Sequence, residues 1–322
     1  MDLDTVACAD CREWLPTLPD SCVDLIATDP PYFKVKSEPW DRQWDKPAQF
    51  LEWLGGILAE FHRVLKPNGS LYLFASPQMA ARVECLIAER FNVLNRIRWV
   101  KEAGWHNKTA KDGLRAFLSP WEEIIFAEHH FEPLRAYLAQ ERDRAGWTTR
   151  RVAEHFQQKT GSRTVTGMAG HWFEQVQWAL PTAENYAWLQ ALFNAGSNGN
   201  GPQHLRREYE YLRREYEDLR RPFTISAEVP YTDVWTFPTV QAYAGKHPCE
   251  KPLALMEHII TASSKPGAMV LDCFAGSGTT AVACQKTDRH YLCCELGAEY
   301  VAIAEARIKA ARNDTALFAG CD

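Results

Sequence analysis

Short β-rich apolar runs alternate with helical patterns at both ends of this chain, and that alternation constrains the fold more than any other feature. Five such runs lie in residues 1–130 and two more in residues 223–322. Alternation of this kind is typical of a mostly parallel sheet with helices covering both faces. Residues 131–222 show helical patterns only. We therefore predict an α/β fold with seven strands, interrupted by an inserted helical region.

The bulk composition indicates a soluble, non-membrane protein. The chain has 322 residues, of which 46% are hydrophobic and 24% charged, and no apolar run approaches the roughly 20 residues of a membrane helix. Its acidic start, "MDLDTVACAD", lacks the pattern of a signal peptide, so we expect a cytoplasmic location. A net charge of −5 excludes a uniformly basic protein but leaves room for a local basic surface.

The ten cysteines are scattered along the chain, and several lie within apolar runs. We expect reduced and mostly buried thiols, because a disulfide framework or a zinc site requires a more regular spacing. Cys8 and Cys11 form a single Cys-x-x-Cys pair without a second pair, so no metal is predicted.

The middle region reads as a series of helices. Its first part, "LRAYLAQERDRAGWTTRRVAEHF", predicts two helices broken at Gly146, with Thr148 or Thr149 as the N-cap of the second. Two further helices follow, then the loop "SNGNGP" and a charged helix. Leucines recur every seven residues in that last helix, which favours a surface helix packed along one stripe; a dimer seam or a DNA-facing arm is the alternative. The leucines are Leu205, Leu212 and Leu219.

A glycine-rich turn, "LDCFAGSGTT", connects a predicted strand to a helix near the C-terminus. Glycines at such a turn let the backbone approach a ligand closely, and the helix N-terminus faces that ligand. The next strand ends in Glu295, and a carboxylate at that position can accept hydrogen bonds from a ribose diol. The pattern predicts a ribose-containing ligand; nicotinamide cofactors and S-adenosylmethionine both fit it.

A second turn, Asp29-Pro30-Pro31-Tyr32, ends the apolar run 23–28. A carboxylate oxygen of Asp29 and the carbonyl of Pro30 can grip both N–H bonds of a nucleobase amino group, which frees its lone pair for attack on an electrophile. Two prolines stiffen the turn, and the Tyr32 ring offers a face on which an extruded base can stack. Alone, the turn is equally compatible with a rigid strand ending; together with the glycine-rich turn it favours methyl transfer.

The two motifs together resemble the amino-methylating DNA methyltransferases, which make N6-methyladenine or N4-methylcytosine. The order, with the catalytic turn before the cofactor turn and a long segment between, resembles the β group of that family. The resemblance covers about residues 1–130 and 223–322. It implies a Rossmann-like, circularly permuted seven-stranded sheet, S-adenosylmethionine as cofactor and double-stranded DNA as substrate. Asp in the catalytic turn leans toward adenine N6, with cytosine N4 as the alternative.

The resemblance also assigns roles to individual residues. Asp29, Pro30, Pro31 and Tyr32 match the catalytic turn. Asp10 matches an acid near the cofactor's adenine, and "HPCEKP" matches the methionine side of the pocket, with a structural turn as the alternative. The implied cofactor residues are Asp10, His247, Pro248, Lys251, Pro252, Asp272, Phe274, Ala275, Gly276, Gly278, Thr279 and Glu295.

DNA contacts are predicted in two places. The loop after Tyr32 carries basic side chains and two tryptophans, Trp40 and Trp44, which either pack or wedge into DNA. The middle region resembles the helix-turn-helix domains of phage repressors and the inserted segment of phage-type methyltransferases, with a purely structural bundle as the alternative. The candidate DNA contacts are Lys34, Lys36, Arg42, Arg150, Arg151, Lys159, Arg163 and His171.

Two interpretations from other classes stay open at the level of sequence. One is a DNA-binding regulator without catalysis, against which the intact Asp-Pro-Pro-Tyr turn counts. The other is a nicotinamide oxidoreductase, against which the lack of a Gly-x-Gly-x-x-Gly turn counts. A homodimer is possible through the charged helix, and the sequence indicates no particular restriction endonuclease as partner.

Overall fold

The computed structural model describes residues 2–101, 114–129, 133–163, 167–174, 178–195, 204–225, 231–241, 243 and 246–318. The chain divides into two compact units. The first, here called the sheet unit, comprises Met1–His130 and Arg221–Asp322; the second, the helical unit, comprises Phe131–Arg220. The loop "SNGNGP" lies outside the described residues, as do residues 164–166 of the predicted helix-turn-helix.

The sheet unit is built on eight strands in the order β1-β8-β7-β2-β3-β5-β4-β6. All seven predicted strands are present, and a short additional strand, β6, joins the edge beside β4. The strands are β1 Thr5–Cys8, β2 Val23–Thr28, β3 Leu65–Ala75, β4 Phe91–Val100, β5 Trp121–His129, β6 Val234–Thr236, β7 Met269–Asp272 and β8 His290–Glu295.

The sheet is mixed, with one reversed strand. β1, β8, β7, β2 and β3 run parallel, and β5 runs antiparallel to both β3 and β4. The ends of β1, β2, β4, β7 and β8 therefore meet the start of β5 at one edge, here called the carboxyl edge. In α/β sheets this edge is where ligands bind.

Eleven α-helices lie in the described part of the chain. They are α1 Cys11–Trp14, α2 Pro47–Val64, α3 Ala80–Ala88, α4 Pro133–Arg144, α5 Thr149–Thr160, α6 Met168–Phe173, α7 Ala183–Phe193, α8 Tyr209–Leu219, α9 Leu253–Ser263, α10 Thr279–Lys286 and α11 Ala298–Phe318. Helix α2 ends at Val64, because Leu65 has extended backbone and starts β3. No described helix is both long and apolar enough to cross a membrane.

Both faces of the central strands are buried. On β2, Ile26 points into the core beneath α2 and α3, while Leu25 and Ala27 point into the opposite core beneath α9 and α10. Successive side chains of a strand alternate between faces, so an unbroken apolar run is what a doubly covered strand requires. The nine cysteines in the described residues are free thiols, five of them buried.

The helical unit has its own core, to which α4 to α8 all contribute. Thr148 caps α5, where its hydroxyl accepts from the Arg151 amide, and Gly146 has a positive φ of 72° between α4 and α5, as predicted. The heptad interpretation was wrong for Leu205: this residue has φ 53° and lies before α8, fully buried in the core of the unit. Only Leu212 and Leu219 lie on α8, which is therefore shorter than two heptads.

Candidate active site

The Asp-Pro-Pro-Tyr turn leaves β2 at the carboxyl edge, beside the end of β7. Thr28, the last residue of β2, donates its hydroxyl to Asp272 over 2.6 Å and so joins the two strand ends. The Asp29 side chain is 17% exposed, and its Oδ2 accepts from the ammonium group of Lys251. Its Oδ1 is buried and has no hydrogen-bond partner among the described residues. A buried acceptor of this kind is uncommon unless a ligand completes it.

The electrostatics of Asp29 reflect burial beside one cation and one anion. Burial raises the pKa of Asp29 above its ordinary value; Lys251 opposes the change, and Glu122 adds to it. Burial alone would lower the pKa of Lys251, but the carboxylates of Asp29 and Glu122 raise it by a larger amount. The pKa of Lys251 therefore lies above its ordinary value, and the ammonium stays charged.

Tyr32 is held from both ends. Its backbone N–H donates to Oδ1 of Asp41 over 2.6 Å, and its hydroxyl donates to Oε2 of Glu122 over 2.9 Å. Burial and the carboxylates of Asp29 and Glu122 raise the phenol pKa well above its ordinary value, so the group is a neutral donor. The ring lines the cleft at a fixed angle, which suits stacking of a planar base.

The loop after Tyr32 is folded around the buried Asp41. This carboxylate also accepts from the Lys36 amide over 2.5 Å, and the Asp41 carbonyl accepts from the amide of Lys34. Lys34 is exposed and donates its ammonium to the Asp45 carbonyl, while Arg42 donates to the Lys36 carbonyl. Contact of these three basic side chains with phosphate stays a prediction.

The two tryptophans of this loop differ. Trp44 is buried against Phe50 and Trp53, which supports the packing alternative for that residue. Trp40 stacks on His247, with the ring planes 17° apart, and lines the cleft.

The glycine-rich turn joins the end of β7 to the start of α10. Asp272 is buried and accepts from Thr28, from Thr280 over 2.5 Å and from the Phe274 amide over 3.1 Å. Burial raises its pKa to about 6, against the effect of these donors. Asp272 therefore stabilises the turn through these hydrogen bonds, and it lines the cleft together with Phe274, Ala275 and Thr279.

Glu295 ends β8 next to this turn. Its two carboxylate oxygens accept from the Gly276 amide over 2.8 Å and the Gly297 amide over 2.9 Å. A carboxylate has about four acceptor positions, so both oxygens keep capacity for further donors such as a ribose diol. The side chain is half-buried and lines the cleft.

The glycines of the turn are required by geometry. Gly276 has φ +50°, and a Cβ there would lie 3.2 Å from the His247 ring. Gly278 has φ +77°, and a Cβ there would lie 2.8 Å from the Cβ of Ala304 on α11. Both positions need the left-handed conformation that glycine adopts without strain.

Asp10 follows β1 and caps α1 at the same edge. Its carboxylate accepts from the Arg12 amide and guanidinium, and these hydrogen bonds lower the pKa of Asp10 below its ordinary value. Asp10 lines the cleft together with Glu295, so the structure brings the two acids to one wall.

The residues of the segment "HPCEKP" have different surroundings. His247 packs against Gly276, Trp40 and Tyr300, and burial together with nearby Lys251 lowers its pKa to about 4. Lys251, assigned from the resemblance to the cofactor's methionine side, contacts Asp29 of the catalytic turn. Pro252 is the N-cap residue of α9 and does not line the cleft.

Sequence reasoning missed several residues of the site. Glu122 and Lys101 pair with each other at the carboxyl edge, and Glu122 also contacts Tyr32 and Lys251. Arg307 of α11 donates to the Ser277 carbonyl in the glycine-rich turn. The only local sign of Glu122 was a pair of glutamates opening a predicted strand, whereas its partners lie 21 to 129 positions away in the chain.

The catalytic turn, the glycine-rich turn, Asp10 and Glu295 line one cleft of about 240 Å³ at the carboxyl edge of the sheet. One wall carries the glycine-rich turn and the acids Asp10 and Glu295. The other carries Asp29 and Tyr32, and the Oδ1 of Asp29 is the buried oxygen that lacks a partner among the described residues. The arrangement can hold a ribose-containing molecule beside an acceptor for an amino group.

In the helical unit, the five predicted DNA contacts have different surroundings. Arg150 and Arg163 are exposed, and Arg150 pairs with Glu154 over 3.0 Å. Arg151 lies over the Trp147 ring, and His171 is half-buried in α6. Lys159 donates to Glu184 and Asn185 within the unit. DNA binding by these residues stays a prediction.

Several known proteins are similar to this chain. The model of the N6_N4_Mtase family, described as a DNA methylase, matches residues 23–306. The DNA adenine methyltransferase YhdJ of Escherichia coli (strain K12) is 27% identical over 320 residues, which cover 97% of this chain and 85% of that protein. The Type II methyltransferase M2.DpnII of Streptococcus pneumoniae is 26% identical over 331 residues, with coverage of 95% and 90%. The solved M1.HpyAVI–SAM complex is 20% identical, with a TM-score of 0.53, and covers 94% of this chain and 98% of that chain; it supports the fold.

Proposed function

The chain belongs to the N6_N4_Mtase family of DNA methylases, and on that premise we propose that it transfers a methyl group from S-adenosylmethionine to the N6 amino group of adenine in double-stranded DNA. The choice of adenine is supported by the name of the relative YhdJ and by Asp29 in the catalytic turn. Because the chain belongs to this family, the oxidoreductase alternative is excluded.

One observation carries the proposal: the Oδ1 of Asp29 is buried and has no hydrogen-bond partner in the part of the chain that the structure describes. An amino group that donates one N–H to this oxygen and the other to the Pro30 carbonyl satisfies the orphaned acceptor and frees its own lone pair. Asp29 then takes the proton that the nitrogen releases as its new bond to the methyl carbon forms and the bond between that carbon and sulfur breaks, which leaves a neutral thioether. Tyr32 stacks on the extruded base, with its hydroxyl anchored on Glu122.

The residues of the opposite wall fit S-adenosylmethionine. Glu295 accepts from the ribose hydroxyls, Asp10 faces the adenine end, and the backbone of Gly276 lines the cleft without a side chain. When bound there, S-adenosylmethionine supplies an electrophilic methyl group next to the catalytic turn.

The helical unit is proposed as the DNA reader. Adenine inside a duplex is out of reach of the cleft, so the base must be flipped out, and a second surface must hold the duplex meanwhile. The exposed arginines Arg150 and Arg163 are candidates for phosphate contacts. The expected location is the cytoplasm, where chromosomal or phage DNA is present.

The test is nucleoside mass spectrometry. Unmethylated duplex DNA is incubated with protein and S-adenosylmethionine, digested and compared with a reaction that contains Asp29→Ala. We expect N6-methyladenine with the wild-type protein and a loss of at least about 10²-fold in the variant. N4-methylcytosine as product would contradict the choice of base, and the absence of any methylated base would contradict the reaction.

A further inference from the structure

A group of buried charges contacts the catalytic turn. Lys251 contacts Asp29 and lies 3.4 Å from Oε2 of Glu122, whose Oε1 accepts from Lys101. The same Oε2 of Glu122 accepts from the Tyr32 hydroxyl over 2.9 Å. Two ammonium groups and two carboxylates thus form a connected group that includes the phenol.

The members of this group come from four separate parts of the sheet unit. Asp29 and Tyr32 follow β2, Lys101 follows β4, Glu122 begins β5 and Lys251 precedes α9. Lys251 is only 8% exposed and Glu122 16%. Burying these ions is costly, and stability alone is a weak reason to retain them.

The connections match the geometric demand of the proposed reaction. The side chain of an aspartate can rotate and present either carboxylate oxygen in several directions. Lys251 restricts this rotation because it holds one oxygen of Asp29. Lys251 is itself a flexible side chain, and Glu122 holds it from the other side. Glu122 also accepts a hydrogen bond from the Tyr32 hydroxyl. One carboxylate thus positions both Lys251, which holds Asp29, and the ring on which the base stacks.

We propose that Glu122 and Lys251 are positioning residues for methyl transfer: Lys251 holds one oxygen of Asp29, and Glu122 holds Lys251 and Tyr32, so that the other Asp29 oxygen faces the target amino group. This inference rests on the proposed function and deepens it. Neither residue touches the reacting atoms; both act through Asp29 and Tyr32.

The charges around Asp29 give the inference a directional signature. Glu122 raises the pKa of Asp29 and Lys251 lowers it. The other titratable groups that interact with Asp29 are Tyr32 of the same turn, Cys249 beside Lys251 and Asp272 at the end of β7. Lys101 acts on it through Glu122.

The experiment measures single-turnover methyl transfer to duplex DNA at several pH values for Glu122→Gln and Lys251→Gln. Transfer requires ionised Asp29, so the rate falls as the pH drops through the Asp29 pKa. Removing the Glu122 charge lowers that pKa and moves the fall to lower pH, while removing the Lys251 charge raises it and moves the fall to higher pH. We also expect both variants to lose up to about 10²-fold in rate at the optimum, and Glu122→Gln, which lies outside the cleft lining, to keep the wild-type Kd for S-adenosylmethionine by calorimetry.

The matched control is Glu123→Gln. Glu123 is the next residue on β5 and points to the other face, where it lies 3.7 Å from both Arg96 and Arg98. The Glu123→Gln substitution removes the same charge from the same strand as Glu122→Gln does. The pH profile of this control should match that of the wild-type protein. If Glu122→Gln does not fold, Glu122→Asp serves instead, and we then expect a lower rate without a shift along the pH axis.

The outcomes separate the two levels of inference. Opposite shifts together with a loss of rate at the optimum in both variants support the positioning role, and opposite shifts with the full wild-type rate overturn it. Shifts in the same direction, or a rate and profile like those of the wild type, overturn it while leaving the proposed function intact. A wild-type protein that transfers no methyl group under the same conditions rejects the proposed function itself.

Discussion

His247 shows at the scale of one residue how the fold sets a protonation state. Its ring is packed between Trp40, Tyr300 and the glycine-rich turn, and burial with Lys251 nearby lowers its pKa to about 4. A charged imidazole here would repel Lys251 and lose its hydration. The residue therefore acts as a neutral packing surface beneath the cleft at neutral pH.

This protonation state predicts a pH-dependent contribution to stability. An unfolded histidine has a pKa near 6.5, so between about pH 4 and 6.5 the unfolded chain binds a proton at His247 that the folded chain does not. The stability of the wild-type protein relative to His247→Gln should therefore rise by about 3 kcal/mol from pH 4 to 6.5 and stay level above that range. Urea unfolding of both proteins across this range measures the difference.

The comparison with the variant also removes a competing effect. Asp272 has a pKa raised to about 6, which lowers stability as the pH rises from about 4 to 6, but it is present in both proteins and cancels. A stability difference between wild type and His247→Gln that does not change with pH would contradict the buried, neutral histidine.

Residue by residue, the sequence predicted the groups that lie in motifs and missed those that act through contacts between distant segments. Asp29 and Glu295 were predictable because each follows an apolar run, and parallel strands bring such ends to one edge. Glu122 had no such signal, since its role depends on Tyr32, Lys101 and Lys251 meeting it in space. The expected location of Lys251 on the cofactor wall came from the resemblance alone, and its contact with Asp29 is set by the path of the chain before α9.

At the scale of elements, the connection from β7 to α10 depends on backbone conformation more than on side chains. Gly278 allows α10 to begin with its first turn close against Ala304 of α11. Arg307, also on α11, donates to the Ser277 carbonyl and the Thr279 hydroxyl, which fixes the same turn from the side of α11. The start of α10 is thus held by the helix that follows β8.

Gly278→Ala should therefore cost more than backbone strain. An alanine at φ +77° is strained by about 1–2 kcal/mol, and the contact of 2.8 Å with Ala304 adds about 1–3 kcal/mol because the two backbones must separate. We expect both a lower free energy of unfolding and weaker binding of S-adenosylmethionine. Urea denaturation and calorimetric titration measure the two effects.

Gly267→Ala is the matched control for this prediction. Gly267 has φ +76° in the connection before β7, but a Cβ there meets no atom of the described residues within 4 Å. It should show the strain alone, with normal cofactor affinity. Equal losses in the two variants would mean that the approach of α11 to the turn is unimportant.

The elements also show where local patterns are insufficient. The strands of the central sheet were predictable because continuous apolar runs mark strands buried on both faces. The three-residue strand β6 was not, since Val234 and Thr236 are exposed and only Trp235 is buried, so it pairs with β4 without an apolar run. The heptad spacing of Leu205 was coincidental, because a positive φ ends any helix at that residue.

At the scale of the whole molecule, the chemistry and the proposed reading of DNA are assigned to different units of one chain. The sheet unit carries the entire described cleft, whereas the helical unit has its own core of α4 to α8. Substitutions on the surface of the helical unit should therefore alter DNA affinity without altering the binding of S-adenosylmethionine.

Arg150 and Arg163 test this division. Arg150 is 89% exposed, and Arg163 is exposed after α5. Each phosphate contact contributes about 0.9 to the slope of log K against log salt, so Arg150→Ala with Arg163→Ala should weaken DNA binding and reduce the slope by up to about 2. Anisotropy titrations of labelled duplex DNA at several salt concentrations measure it. Arg144→Ala, which removes one positive charge from α4 where Arg144 pairs with Glu141, should leave the slope unchanged. The loss of a phosphate contact always reduces the number of counterions released on binding, and so reduces the slope. If the double variant keeps the wild-type slope, the helical unit does not bind DNA through this surface.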